Sequence, residues 1–328
     1  MFLAGDVGGT KTNLALFRDG PGPLAMVREA KFLNHEHASL EEMARTFLAA
    51  GPEKAHAGCF GVAGPVVNGR TTMPNLGWEL DGTRLAAGIG LERVVVMNDL
   101  EANAHGIATL APADCEVLNP GTPHAGGNRA LIAAGTGLGE AILFWDGAGY
   151  RVSASEGGHA DFGPRDVEQA GILTRLIARF GHVSYERVVS GPGLVNLHGA
   201  LDLPEPAPVT AAIAAAEDPA AAIASAALEG ASARCVRALE LFVSIYGAEA
   251  GNLALKALAT GGVWVGGGVA PRLITRLRDG SFVRAFRDKG RFTDLLGRIP
   301  ITVILEPRTA LRGAAAYLAR TQAEGATR

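Results

Sequence analysis

Two carboxylates in this sequence each stand at the end of a short apolar run. Val94-Val95-Val96-Met97 leads into Asn98-Asp99, and Phe2-Leu3-Ala4 leads through Gly5 into Asp6. An apolar run rich in β-branched residues reads as a buried strand, and the residues after Asp99 read as a helix. A carboxylate at the carboxyl end of such a strand stands where open α/β sheets place their ligands. There it can take a proton from a substrate hydroxyl. It can equally do no more than cap the next helix, which for an isolated Asn-Asp pair is the commoner duty.

Three glycine clusters accompany these carboxylates. Gly5-Asp6-Val7-Gly8-Gly9-Thr10-Lys11-Thr12 resembles a phosphate-binding P-loop, but Thr10 replaces its second glycine and a strand, Asn13–Phe17, follows where a helix is required. It is therefore a β-hairpin turn, with more polar groups than a plain turn needs. Ala130–Ala134, Gly135-Thr136-Gly137-Leu138-Gly139 and Glu140–Trp145 repeat the same strand, glycine turn, strand plan, and Asp146-Gly147 ends it as Asp19-Gly20 ends the first. Two such turns can hold one polyphosphate. Gly266-Gly267-Gly268 closes the strand Gly261–Val265, and Pro271 opens a helix behind it, a setting that suits a nucleoside.

A second group of polar residues suits a neutral, hydroxylated ligand. Glu156, His159 and Asp161 lie among glycines in Ser155–Gly163, and Glu186 precedes the turn at Ser190-Gly191-Pro192. Such a cluster can ligate a metal, but with no cysteine or second histidine beside it a pocket for hydroxyl groups is the better reading. Trp78 in Met73–Trp78 reads as a core side chain or the wall of a sugar pocket.

The elements that position these residues follow from periodicity. Ser39-Leu40-Glu41-Glu42 has the capping-box form, with Leu40, Met43, Ala44, Phe47 and Leu48 at helical spacing behind it. Asp81–Gly88 and Asp166–Phe180 read as helices, the second stopped by Gly181. Thr210–Ala259 is Ala-rich and helical, broken at Asp218-Pro219 and Gly230. Its stripe Val236, Leu239, Phe242, Val243 and Tyr246 is core or a subunit contact, and a homodimer is one use of it. Pro112–Asn128, rich in Pro, Gly and Asn, reads as a boundary between two halves. Residues 1–110 with 300–328 are expected to form a smaller α/β domain and 111–299 a larger one, the last helix, Thr309–Arg320, packing back on the first.

Composition narrows the function. The 328 residues suffice for two domains, and 48% apolar against 19% charged residues allows a large core. A net charge of -3 gives no reason to expect nucleic acid or an anionic membrane as partner. Cys59, Cys115 and Cys235 are far apart and form no CxxC unit, so buried reduced thiols in a cytoplasmic protein are expected. Asp6 interrupts any signal-peptide core, and no window is apolar enough to span a bilayer.

Taken together, GDVGGT at Gly5–Thr10, ND at Asn98-Asp99, AGTGLG at Ala134–Gly139, EGGHADF at Glu156–Phe162, ERVVSGPGL at Glu186–Leu194 and GGVWVGGGVAPR at Gly261–Arg272 resemble the bacterial glucokinase family. That family lies within the sugar kinase, Hsp70 and actin ATPase superfamily, and the resemblance covers nearly the whole chain in order. It implies two domains of duplicated actin-like ATPase (ribonuclease H-like) architecture with an interdomain active-site cleft, and transfer of the ATP γ-phosphoryl group to the 6-hydroxyl of glucose. It assigns Asn98, Asp99, Glu156, His159 and Glu186 to glucose, with Asp99 as general base. Asp6, Gly8, Gly9 and Thr10, with Thr136, Gly137 and Gly267, match positions around ATP, and Asp6 matches the position near Mg²⁺. A related family of sugar kinases and repressors carries a cysteine-rich zinc motif after its sugar-binding histidine. Here the next cysteine after His159 is Cys235, so that zinc is not expected, and a phosphate loop starting at Gly5 leaves no room for the repressors' DNA-binding module. The rival readings are a kinase for mannose, fructose or N-acetylglucosamine and a non-catalytic sugar sensor. The loops alone leave the phosphoryl donor open.

Overall fold

The structure is a computed structural model and describes residues 1–20 and 24–326. The chain forms two compact units, one of Met1–Ala113 with the chain from Glu306 onward, the other of Asp114–Leu305.

The first unit is built on strands β1 (Phe2–Val7), β2 (Lys11–Arg18), β3 (Ala25–Leu33), β4 (Ala57–Val62) and β7 (Arg93–Asn98), in the order β3-β2-β1-β4-β7. A separate ribbon pairs β5 (Arg70–Met73) with β6 (Trp78–Asp81). β1 to β3 form an antiparallel meander, while β4 and β7 run parallel to β1. The parallel strands are near-continuous apolar runs because both faces of the sheet are covered. Leu3, Leu14 and Leu16 meet helix α1 (Leu40–Ala49), helix α2 (Gly82–Ile89) and Trp78, which is core. Phe2, Ala4, Ala15 and Phe17 meet Leu311, Ala314 and Leu318 of the C-terminal helix (Thr309–Ala326). The capping box at α1 is shifted by one residue: Ser39 Oγ accepts from Glu42 N, but the Glu42 carboxylate accepts from Ala38 N at 2.8 Å. Helix α3 (Asp99–Gly106) follows β7 directly.

The second unit repeats that plan. β9 (Arg129–Ala134), β10 (Leu138–Trp145) and β11 (Tyr150–Ser155) form the antiparallel meander, and β12 (Gly262–Gly266) and β13 (Ile301–Ile304) add parallel strands. A further strand, β8 (Cys115–Asn119), pairs antiparallel with β13, giving the order β11-β10-β9-β12-β13-β8. Two sequence expectations change here. The Pro112–Asn128 segment is not all linker, since it contains β8. Residues 301–304 do not open the returning part of the first unit, because Ile301 and Val303 pair with β12 and are fully buried there.

Helices α4 (Val167–Phe180), α5 (Gly191–Ala200), α6 (Ala207–Ala215), α7 (Pro219–Leu228) and α8 (Ala233–Ala257) lie between β11 and β12, and shorter helices, among them Ser281–Arg287 with Phe282 and Phe286 in the core, lie between β12 and β13. The stripe Leu239, Phe242, Val243 and Tyr246 of α8 is interior, packed with α5, α7 and the sheet, so its alternative as a subunit contact falls. Glu205 ties α5 to α8: its Oε1 accepts from His198 Nε2 at 2.8 Å, Ser232 Oγ at 3.1 Å and Cys235 Sγ at 3.2 Å. This convergence was invisible in the spacing of the three residues. Cys59 and Cys235 are buried, and Cys115 is half-buried on edge strand β8. Among the described residues no helix is long and apolar enough to cross a membrane.

Candidate active site

In the first unit the expected residues gather at the carboxyl ends of the parallel strands. Val7, Val62 and Asn98 are aligned across β1, β4 and β7, so the glycine turn after β1 and the Asn98-Asp99 pair lie two strand spacings, roughly 10 Å, apart. Asp6 is half-buried and accepts a bond from Asn13 Nδ2 at 3.3 Å; burial pushes its carboxyl above the ordinary range. Gly9 and Thr10 are exposed at the tip of the turn, and Gly8 N donates to Lys11 O.

The shape of this turn is set by a residue that the sequence did not single out. Thr12 Oγ1 donates to Asn34 Oδ1 at 2.8 Å, and Asn34 Nδ2 donates to Gly8 O at 2.8 Å, with Thr12 and Asn34 both buried. Asn34→Ala would leave the Thr12 hydroxyl and the Gly8 carbonyl unpaired, an expected cost of about 1–3 kcal/mol. Urea unfolding should show a lower midpoint with unchanged slope. A wild-type midpoint would remove Asn34 as the pin.

At Asn98-Asp99 the two side chains divide their duties. Asn98 is the N-cap of α3: its Oδ1 accepts from Leu100 N at 2.9 Å and Glu101 N at 3.4 Å, and its Nδ2 donates to Gly64 O. Asp99 is the first helical residue, half-buried, and its Oδ1 also accepts from Leu100 N at 2.9 Å. The helix is pressed into place by glycines. A Cβ on Gly61 of β4 would lie 2.8 Å from Ala102 Cβ, and one on Gly313 of the C-terminal helix 1.8 Å from Ala102 O.

In the second unit three motif segments converge on Leu138, at the start of β10. Its N–H donates to Glu186 Oε2 at 2.9 Å, and Gly158 lies so close that a Cβ there would stand 1.9 Å from its carbonyl oxygen. Gly137 abuts the same Glu186 carboxylate, 2.5 Å from its built Cβ. Glu156 and His159 flank the short 3-10 turn Gly157–His159, both exposed, with His159 Nε2 3.9 Å from Glu156 Oε2. Asp161 turns away to His182 Nε2 at 2.7 Å. Gly135 N donates to Gly137 O, closing the turn that carries Thr136, and Gly191 N at the start of α5 donates to Gly135 O. Gly267 has a positive φ of +80, and its built Cβ would lie 2.2 Å from Ala134 O, so only glycine lets β12 turn across the end of β9. Beside these turns opens a cavity of ≈ 790 Å³ whose walls include Thr136, Gly191, Phe242, Gly268 and Arg272. Its size suits a nucleotide-sized ligand.

A family model described as glucokinase matches residues 3–321, and a glucokinase of Synechocystis is 38% identical, covering 98% of this chain and 98% of its own. The chain belongs to the glucokinase family. A crystal structure of a glucokinase from an Antarctic psychrotroph agrees, with a TM-score of 0.84 and 31% identity over 97% of this chain and 98% of that one. A glucokinase from Streptomyces griseus, solved in complex with glucose and AMPPNP, shares the fold with a TM-score of 0.65 and 23% identity over 98% of this chain and 99% of its own. Family membership accounts for the duplicated sheets and for the order of the motifs.

The sequence-derived residues thus fall into two sets. Asp6, Gly8, Gly9, Thr10, Asn98 and Asp99 lie at the carboxyl ends of β1 and β7 in the first unit; Thr136, Gly137, Glu156, His159 and Gly267 lie at strand ends of the second, which Glu186 joins from the turn Tyr185–Arg187. Residues that sequence reasoning missed are the ones holding these in place: Asn34, Gly61 and Gly313, none of which carries a sequence signal.

Proposed function

We propose that the protein transfers the γ-phosphoryl group of ATP to the 6-hydroxyl of glucose, giving glucose 6-phosphate and ADP. The observation that carries this reading is the convergence on Leu138. Glu186 is packed directly against the glycine turn Gly135–Gly139, and Gly158 seats the turn that carries Glu156 and His159 against the same turn at Leu138, which is what moving a phosphoryl group onto a sugar requires and what a sugar sensor does not need. Family membership supplies the substrate: the named relatives are glucokinases.

The roles follow from the chemistry of each group. Glucose is neutral, so carboxylates and an amide that can each serve two hydroxyls bind it better than a charge clamp. A site built this way rejects analogues lacking one hydroxyl, because its own polar groups are then left unpaired. Glu156, His159 and Glu186 take hydroxyls, and Asn98 Nδ2, which gives one proton to Gly64 O, has a second to offer a hydroxyl. Asp99 accepts the proton of the 6-hydroxyl as that oxygen attacks phosphorus. The backbone N–H groups of Gly9-Thr10 and Thr136-Gly137 are the ones offered to phosphate oxygens, Gly8 N being held by Lys11 O within the turn, and Gly267 lets the chain pass close to the nucleoside.

Asp6 fits the magnesium ion of MgATP. It is a carboxylate beside the glycine turn, and burial raises its pKa with only the Asn13 amide to offset it. A hard cation bound there would neutralise phosphate charge. Unpaired cysteines suit a reducing compartment, so we place the protein in the cytoplasm.

A coupled assay with MgATP and a panel of hexoses tests the reading. Glucose should give the highest kcat/KM, well ahead of mannose, fructose and N-acetylglucosamine. A large preference for another hexose would replace the substrate, and sugar binding without turnover would favour the sensor.

A further inference from the structure

Beneath the Glu156–His159 turn lie two buried carboxyl groups for which the reaction has no use. Glu140, the third residue of β10, is 1% exposed, and Glu249 of α8 is fully buried. Glu140 Oε1 is sealed from solvent and receives no hydrogen bond, while Oε2 lies against Gly157, 2.0 Å from where a Cβ would be built. The side chain of Glu249 is within hydrogen-bonding range of Glu140. Glu249 has its own donors: Asn252 Nδ2 at 2.7 Å on Oε2 and Lys256 Nζ at 3.4 Å on Oε1. Among the described residues no cation pairs with Glu140. The other ionisable groups around the pair are Tyr185, whose hydroxyl is within hydrogen-bonding range of Glu249 and accepts from Asn252 Nδ2, Tyr246, and Lys289, whose ammonium donates to Asn252 Oδ1, with Arg165 and Asp288 behind it.

Two carboxylates in contact, away from water, cannot both stay ionised. The ammonium within ion-pairing distance, Lys256, sits on Glu249; its field also reaches Glu140 but is outweighed there by burial and by the Glu249 charge, and Lys289 acts on Glu249 from farther off. We propose that Glu140 and Glu249 share a single proton, held on Glu140, and that this neutral acid seats the Glu156–His159 turn for sugar binding, making Glu140 a positioning residue for the reaction. The proposal rests on the reading of Glu156 and His159 as sugar ligands. The shared proton completes the hydrogen bonding: the Glu140 O–H donates to Glu249, and the bare oxygen of Glu140 packs under Gly157. Removing the proton sets two like charges against each other. Glu249 is held by Asn252 and Lys256, so Glu140 is the one to move, and Gly157 is in its path.

Burial and the Glu249 charge push the Glu140 carboxyl up to about 8. If only the protonated form seats the turn, about one-tenth of the protein is competent at pH 9, and the apparent KM for glucose rises about tenfold between pH 7 and 9. Glu140→Gln is neutral at every pH, close in shape, and can still donate to Glu249. Its KM at pH 7 should lie within about twofold of wild type and stay flat to pH 9. A flat wild-type profile, or an E140Q profile that rises alongside it, overturns the proposal. Infrared difference spectra, wild type against E140Q and without any sugar, should show a carboxylic-acid carbonyl band at pH 7 that fades by pH 9. Absence of that band also overturns it. Because this second measurement needs no glucose, it still decides where the proton is if the protein proves not to be a glucose kinase.

Discussion

Asp99→Ala is expected to lower kcat by a factor on the order of 10²–10⁴ while glucose binding stays measurable. The size is that of a lost general base in a reaction whose other contributions, alignment and charge neutralisation at the phosphates, are left standing. The structure also removes the usual objection to such a variant, that it merely unravels a helix. The cap of α3 is Asn98, which holds Leu100 N and Glu101 N whatever residue follows it. Asp99 contributes one further bond to Leu100 N and a carboxylate at the helix N-terminus, worth about 0.3–1 kcal/mol. At the start of α3 the loss should therefore cost less than about 1 kcal/mol. Asn98→Ala, by contrast, should cost about 0.5–2 kcal/mol through loss of the cap. Asp99→Asn serves as the matched control: it keeps the shape and the hydrogen bond but is a poor base, so its kcat should fall with that of the alanine variant. Retention of kcat within tenfold of wild type in either variant would dismiss Asp99 as the base.

The order of elements was legible because each local signal agreed with the global plan. Ser39 capped α1, Gly181 stopped α4, and the strand, glycine turn, strand repeat announced two sheets of one topology. Legibility failed where a segment's fate depended on a distant partner. Cys115–Asn119 is short, half-buried and flanked by Pro and Gly, so nothing local marks it as a strand; it becomes one by pairing with Ile301–Ile304. The α8 stripe looked alike as core or interface, because periodicity gives an apolar face and not what covers it. At the candidate site the residues proposed for the chemistry stand out by type and by the resemblance. Their supports were not. Asn34 is one asparagine among several until the fold brings it under Gly8. Gly61 and Gly313 matter only because Ala102 passes within contact distance of both.

Of alanine substitutions at Gly137, Gly157 and Gly158, beside the proposed sugar ligands, Gly158→Ala should be the most damaging. A Cβ at Gly158 would lie 1.9 Å from Leu138 O, at Gly157 2.0 Å from Glu140 Oε2, and at Gly137 2.5 Å from Glu186 Oε2. What decides between them is whether the neighbour can yield. At Gly137 and Gly157 the obstacle is the end of a side chain, which can rotate away at the loss of its own role. At Gly158 it is a backbone carbonyl. Leu138 is held by its pairing with Ala134 and by the Glu186 carboxylate on its N–H, so it cannot retreat. The turn must move instead, and it carries Glu156 and His159 with it, since His159 N donates to Glu156 O and Ala160 N to Gly157 O. A shift of about 1 Å in groups that orient a substrate costs on the order of 10²-fold in kcat/KM. The overpacking itself should cost about 1–3 kcal/mol of stability. Gly171→Ala on the exposed face of α4, where a Cβ meets nothing within 4 Å, is the control and should be neutral or slightly stabilising. If Gly158→Ala folded and kept kcat/KM within about threefold of wild type, the close seating of this turn on Leu138 would have no part in sugar phosphorylation.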